Sequence, residues 1–491
     1  MMRALAIVIR WIATLGVVIS LNAYGQGWGT AEPIENDPAN ATGADIAVAA
    51  NGNAVAVWVQ ADGPRTNIWA RNYTTGSGLG TLQLIETITS GDAEYPRVAI
   101  APNGIAHAIW LQHDGITPSL RASRFVPGSG WSAPKYLQFV LTDTGPPQIV
   151  VDPDGSAWAV WAELDHIGGT DVTNIYAAHS FNDLWSQPRL LENGPGNASL
   201  PKVVIDPFMN PFDTGYALVV WTQDDGAHSS VYSSHFQSLY GTWDPPVLVD
   251  QTDSDAFDVE MADGPSGFPV AVWRQRDAAG TMSVWAATAN PWGTWSTPQQ
   301  ISDWLSFDIS SAKVAGDPAG NATAVWADES MVLPPVGVTS NIWASRYTAS
   351  SNSWGAAELL VSSIATAVAP AVTMDAGGNA ILVWTQEAGL FPPFSIYAKR
   401  YAQGFGWGAT ELIESDDAGS AFNPLVAADS SGNAIAVWLQ SDGVRFNVLQ
   451  NRFSAVTSST TSRTTTTTTS TTTTTIGAID PEGGPAGRGI P

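Results

Sequence analysis

Gly52-Asn53-Ala54-Val55-Ala56-Val57-Trp58 returns as Gly320-Asn321-Ala322-Thr323-Ala324-Val325-Trp326 and again as Gly432-Asn433-Ala434-Ile435-Ala436-Val437-Trp438. Gly and Asn are residues of tight turns. The small and branched apolar residues that follow, closing on Trp, read as a short buried strand. Looser copies end at Trp110, Trp161, Trp221, Trp273 and Trp384, which makes eight copies spaced 51 to 60 residues apart. Self-similarity at this period marks a repeat architecture, and each copy must be one supersecondary unit.

Working outward, each copy parses into four strands. The first opens with Trp and ends near an acidic residue, as in Trp407 to Glu414. The second follows a Pro, as in Pro201 to Asp206, and a tight Asp/Asn/Gly turn leads into the third, which ends in the recurring Trp. The fourth is of the type Asn341 to Tyr347, with relatives at Asn67 to Tyr73 and Ser395 to Tyr401. Four short antiparallel strands per fifty-odd residues predict an all-β, eight-bladed β-propeller of four-stranded antiparallel blades. The chain opens with an isolated first strand, Trp28 to Glu35, and closes with a fourth strand, Val448 to Ser454, that lacks a successor. Pairing the two would complete the last blade and leave no free sheet edges to aggregate.

The domain boundaries follow. Residues 1–25 read as a signal peptide: Arg3 and Arg10, an apolar stretch from Trp11 to Leu21, then Ala23-Tyr24-Gly25 at the cleavage site. Residues 26–455 form the propeller. Residues 456–491 are Thr/Ser-rich and then Gly/Pro-rich, a composition that cannot bury enough apolar surface to order itself. An extracytoplasmic address, secreted, periplasmic or at the cell surface, is expected.

Charge and composition exclude several classes. Forty-five acidic residues against 20 basic ones give a net charge of −25, unsuited to nucleic acid or to an anionic membrane surface. No later segment is apolar and long enough to span a bilayer. There is no Cys, so neither disulfides nor thiolate chemistry is available, and six scattered His form no spaced metal cluster. No cofactor is expected, and a monomer is.

The Trp-opened strand, Pro-led strand, Asp-Gly turn and Trp-ended strand resemble secreted bacterial sialidase-like propellers and, more loosely, bacterial propeller lectins. Turns such as Asp152-Pro-Asp-Gly155 and Asp317-Pro-Ala-Gly320 are similar to the Asp-box of sialidases but depart from its Ser-x-Asp-x-Gly-x-x-Trp spacing. The resemblance is architectural, and a fold shared by many functions does not carry chemistry with it.

The links from first to second strand and from third to fourth emerge on one face of the ring, and they are long and variable, as in Asp37 to Gly43 and Glu329 to Ser340. Variable loops on a rigid scaffold mark the ligand face. The second strand is expected to be innermost, so the residue after its Pro position faces the channel mouth. Around the blades these are Asp45, Arg97, Gln148, Lys202, Asp258, Lys313, Ala371 and Leu425, six of them polar. Either they neutralise one another in a hydrated channel or they bind an anion or a sugar. Asp258 and Glu260, alternating on one strand, are the carboxylate pair that a glycoside hydrolase would need. The arginines that sialidases use for the substrate carboxylate are not matched, since Arg97 alone lies on an inner strand. A Gln, Glu or Asp stands two residues past every recurring Trp, from Gln60 to Gln440, and is expected to satisfy backbone groups of the adjoining turn. The leading expectation is a non-catalytic binding protein for glycans or a protein partner; the alternative is a divergent sialidase-like glycoside hydrolase at the channel mouth.

Overall fold

The computed structural model describes residues 27–455, apart from 88–90, 114–117, 140–144, 168, 193, 195, 207–215, 238–239, 264–267, 278, 291–292, 304–307, 333–336, 388–392 and 416–418. The expected leader and tail lie outside the described residues. Eight antiparallel sheets follow one another, and the only helical element among the described residues is the single 3-10 turn Ala349–Ser351. Blade one spans residues 41–84, blade two 93–139, blade three 148–190, blade four 198–248, blade five 256–300, blade six 308–363 and blade seven 367–412. Blade eight combines Ala421–Ala428, Ala434–Ser441 and Phe446–Ser454 with the N-terminal segments Gly27–Trp28 and Glu32–Pro33. The ring closes as the strand count predicts: Trp28 pairs with Phe453, and Glu32 with Gln450.

Within each blade the strand expected after the Pro, a residue present in five of the eight, is innermost, the Trp-ended strand is second, and the strand that opens with Trp in all but blade one is outermost. In blades two to five the outer strand carries a Pro and is broken there, as between Gly130–Trp131 and Lys135–Phe139, whereas Gly78–Leu84 and Gly406–Leu412, without Pro, run unbroken; blade six is broken between Ser353–Trp354 and Glu358–Ser363 without one. Proline has no N–H to donate, and the outer edge is where a sheet tolerates it. Inner strands begin earlier than the Pro suggests. The strand expected from Pro201 runs Ala198–Asp206 and absorbs its Pro in a β-bulge between Ser199 and Lys202. A residue with left-handed backbone stands at this bulge in six blades: Gly43, Tyr95, Leu200, Asp258, Ala369 and Asn423. The bulge opens the ladder locally, so the missing Pro N–H leaves no partner unpaired.

The core is divided among the interfaces between blades. Eight clusters of buried side chains each contain one recurring Trp, and each cluster bridges two neighbouring blades. All eight indoles are at most 2% exposed. Burying an indole also buries its N–H, which must be satisfied. The residue two positions on does this in seven blades: the side-chain oxygens of Gln60, Gln112, Glu163, Gln223, Gln275, Gln386 and Gln440 accept from the indole nitrogens at 2.9–3.0 Å. The expected bond to the adjoining loop is made as well, by the amide nitrogen: Gln60 donates to the Ala39 carbonyl at 2.8 Å and Gln440 to that of Gly419 at 3.0 Å. One side chain thus ties the wedge to the loop leading into the inner strand. In blade six the position holds Asp328, one methylene shorter than Gln, and the Trp326 indole N–H finds no partner.

The Asp-x-x-Gly-Asn turn is equally structural. One Asp317 oxygen accepts the N–H groups of Ala319 and Asn321, the other accepts the Asn321 amide, and Asn321 in turn receives the N–H of Ala349 at the end of the fourth strand. Asp375 with Asn379 and Asp429 with Asn433 repeat it. Replacing Gln60, Gln386 or Gln440 by Leu is expected to cost about 1–3 kcal/mol each, the penalty for orphaning a buried donor. Asp328→Gln should add roughly 1 kcal/mol by reaching the Trp326 nitrogen. Denaturant unfolding of the four variants checks both signs.

Candidate functional site

The inner-strand register decides which residues meet at the channel mouth. Asp45, Arg97, Gln148, Lys202, Lys313, Ala371 and Leu425 each pair with the residue just before a recurring Trp. In blade five that place belongs to Glu260, opposite Val272, and not to Asp258. Blade five lacks the landmark Pro, as do blades one and six with Ala44 and Ala312, and here Val259 stands in its place and the count from sequence falls two residues short. Asp258 is instead the left-handed bulge residue, its carboxylate bound by Arg274. The two carboxylates read as a pair on one strand face therefore have separate partners, because the bulge interrupts the alternation.

Glu260 lies between two lysines from neighbouring blades, 3.1 Å from Lys202 and 2.5 Å from Lys313. Burial pushes its carboxyl up, but the two ammonium groups outweigh burial and hold it below the usual carboxylate range. Burial lowers Lys202, with Lys313 adding repulsion, and the attraction of Glu260 offsets only part of this. Asp45 accepts the Val98 N–H at 2.9 Å, a bond between blades one and two. Burial raises its carboxyl in spite of Arg97 and that hydrogen bond. Of the sequence-predicted residues, the structure joins Lys202, Glu260 and Lys313 by direct ion pairs and sets Arg97 beside Asp45.

A cavity of about 360 Å³ opens at this mouth. Its polar side carries Arg97, Lys313 and Ser311, and its apolar side carries Pro370, Ala371, Pro424, Leu425 and Leu439. Gln148, Lys202 and Glu260 are not among its lining residues. The bulge residues Gly43, Ala369 and Asn423 form part of the rim, so the turned backbone also shapes the pocket. Sequence reading passed over Pro370, Pro424 and the bulge residues, although the x-Pro pair repeated at five of the inner strands was the signal for them. Links on this face are the longer ones, while the opposite face has mostly four- or five-residue turns such as 49–53 and 317–321. Three of the fourth-strand arginines tie neighbouring blades together by cation–π contact: Arg346 over Tyr401, Arg400 over Phe453 and Arg452 over Tyr73, at 3.8–5.6 Å. Among the described residues no group of three His, Asp or Glu side chains is placed to hold a metal ion. No helix among them is long and apolar enough to cross a membrane.

No protein-family model matches the sequence, and no curated protein matches it. Solved structures similar to this chain include an ulvan lyase, an arabinofuranosidase and a trans-sialidase. An ulvan lyase bound to its substrate matches 76% of this chain and 94% of its own, at 9% identity and a TM-score of 0.42. The α-L-arabinofuranosidase of Fusarium graminearum matches 62% of this chain and 91% of its own, at 12% identity and a TM-score of 0.38. The leech intramolecular trans-sialidase matches 72% and 67%, at 10% identity and a TM-score of 0.36. The chain is an eight-bladed β-propeller that resembles the sialidase-like propellers in architecture; the chemistry must be argued from its own residues.

Asp250, fully buried where the outer strand of blade four ends, supplies a pH test of the scaffold. Burial raises its carboxyl to about 7 in spite of nearby backbone N–H groups. A carboxyl whose folded pKa lies above its unfolded value costs stability when ionised. That cost is full above pH 7 and disappears as pH falls toward 4. Asp250→Asn is expected to raise the melting temperature at pH 8 and to leave it unchanged at pH 4, the gain at pH 8 being on the order of a few kcal/mol. Melting curves across that range check it.

Proposed function

We propose that the protein is a non-catalytic, extracytoplasmic binding protein that takes an anionic ligand, a glycan ahead of an acidic protein segment, at the channel mouth of the long-loop face. The supporting observation is a local reversal of charge. The chain carries −25 overall, yet Arg97, Lys202 and Lys313 face only Asp45 and Glu260 at the mouth. Arg97 and Lys313 border the cavity, and Lys313 is 43% exposed even while paired with Glu260. A concave site with one charged wall and one wall of Pro, Leu and Ala suits a ring with an acidic substituent and an apolar face.

The carboxylates weigh against the hydrolase reading. An acid catalyst needs a raised pKa, whereas Glu260 is held low by two lysines and Asp258 is engaged by Arg274. Asp45 has the raised pKa, but its Oδ2 already accepts the Val98 N–H.

Glycan-array binding is expected to favour carboxylated or sulfated sugars and to weaken steeply with salt. Arg97→Ala and Lys313→Ala should each weaken it by about tenfold or more, and fluorogenic glycosides should show no turnover. Hydrolysis that Glu260→Gln abolishes would establish the enzymatic reading instead.

A further inference from the structure

One interface departs from the packing rule of the others. In five blades the aromatic residue near the end of the fourth strand pairs in register with the outer-strand Trp: Trp28 with Phe453, Trp131 with Phe125, Trp243 with Phe236, Trp354 with Tyr347 and Trp407 with Tyr401. The paired rings lie 5.3–5.6 Å apart. In blade one the partner of Tyr73 is Leu79. The strand of blade eight that faces this position carries Gly27 and Gly29 on either side of Trp28, so neither glycine supplies a side chain in place of the indole; Trp28, Phe453 and Tyr73 border the space.

Between blades seven and eight the corresponding space is filled. There the indole of Trp28 packs in a cluster with Ile381, Ala428, Phe453 and Ala455. Counted along the repeat, their counterparts in the next interface are Ile435, Val48, Tyr73 and Thr75. These four line an open cavity of about 660 Å³ between blades eight and one. The cavity occupies the place of a missing indole. Its size lies in the range of small-molecule sites.

The polar groups at this place suit a ring that bears a donor. Thr75 Oγ1 and Asp429 Oδ2 converge on the glycine at position 52, at 2.9 and 3.0 Å from where its Cβ would stand. The Arg452 guanidinium lies 5.0 Å from the centre of the Tyr73 ring, and Glu32, 2.9 Å away, balances its charge. This cavity therefore has no excess charge to attract an anion, unlike the channel mouth, and an aromatic ring would find both a π partner and a cation.

We propose that the cavity binds a small planar aromatic compound with one N–H or O–H donor, of indole or phenol type. The ring lies against Tyr73 where the other blades place their own indole, and the donor is directed at Thr75 and Asp429. This site is on the tight-turn face and is independent of the channel mouth.

Indole itself is the probe. Titrated into the full chain, it is expected to show saturation transfer from the protein by NMR. The melting temperature should rise by about 1–2 °C for each tenfold increase in indole above half-saturation. Leu79→Trp, which restores the missing ring, should weaken indole binding by at least roughly tenfold. Gly29→Leu is a second plug should Leu79→Trp fail to fold: its backbone is unstrained and a Cβ there meets nothing closer than 3.4 Å. Arg97→Ala should leave indole binding unchanged even if it abolishes glycan binding, so the two sites are read separately. The proposal is overturned if indole does not bind the wild-type chain, if both plugged variants bind it as the wild type does, or if methyl glucoside binds the cavity in its place.

Discussion

The propeller depends on an indole wedged between two sheets with its N–H answered from its own strand. A four-stranded blade has two apolar faces and cannot bury either by itself. Each recurring Trp supplies a large flat surface to the preceding blade, and the side chain two residues later accepts the proton that burial would otherwise orphan. The same Gln amide reaches the loop before the inner strand, as Gln60 does to Ala39. Packing between blades and the course of the chain into the channel are therefore fixed by one residue pair. That coupling explains why both positions recur at every blade.

The channel mouth inherits its form from this scaffold. With the second strand held by Trp and Gln, the inner strand can accommodate a bulge and a left-handed residue without losing register below it. The inner-strand register sets one side chain per blade at the mouth, next to a bulge in seven of the blades, and the eight together carry charge, amide or apolar character according to blade. Cationic residues fall on blades two, four and six, while Ala371 and Leu425 fall together on blades seven and eight. The cavity is two-sided because of this distribution around the ring and not because of any single residue.

Departures from the repeat carry as much information as the repeat. Asp328 breaks the Gln rule and leaves Trp326 without a partner. Val259 takes the place of the Pro found in five of the inner strands, and the mouth residue of blade five is Glu260. Leu79 breaks the Trp rule and leaves a cavity where the ring closes. Since the other blades provide the reference, Asp328 and Leu79 can each be read as a defined physical change: one methylene, one indole.

Sequence alone determined the blade number, the order of strands, the closure by Trp28 and the different lengths of the links on the two faces. These follow from local alternation, turn residues and a period, all of which are properties of neighbouring positions. It also brought Asp45, Arg97, Lys202 and Lys313 to one ring, since each precedes the same short strand. Tertiary structure decided what those residues do to one another. That Glu260 bridges two lysines fifty residues to either side, and that Asp258 turns away to Arg274, depends on a bulge whose register is set across the sheet. The seam cavity was likewise invisible beforehand, because a missing indole matters only once the wall opposite it is known to be glycine.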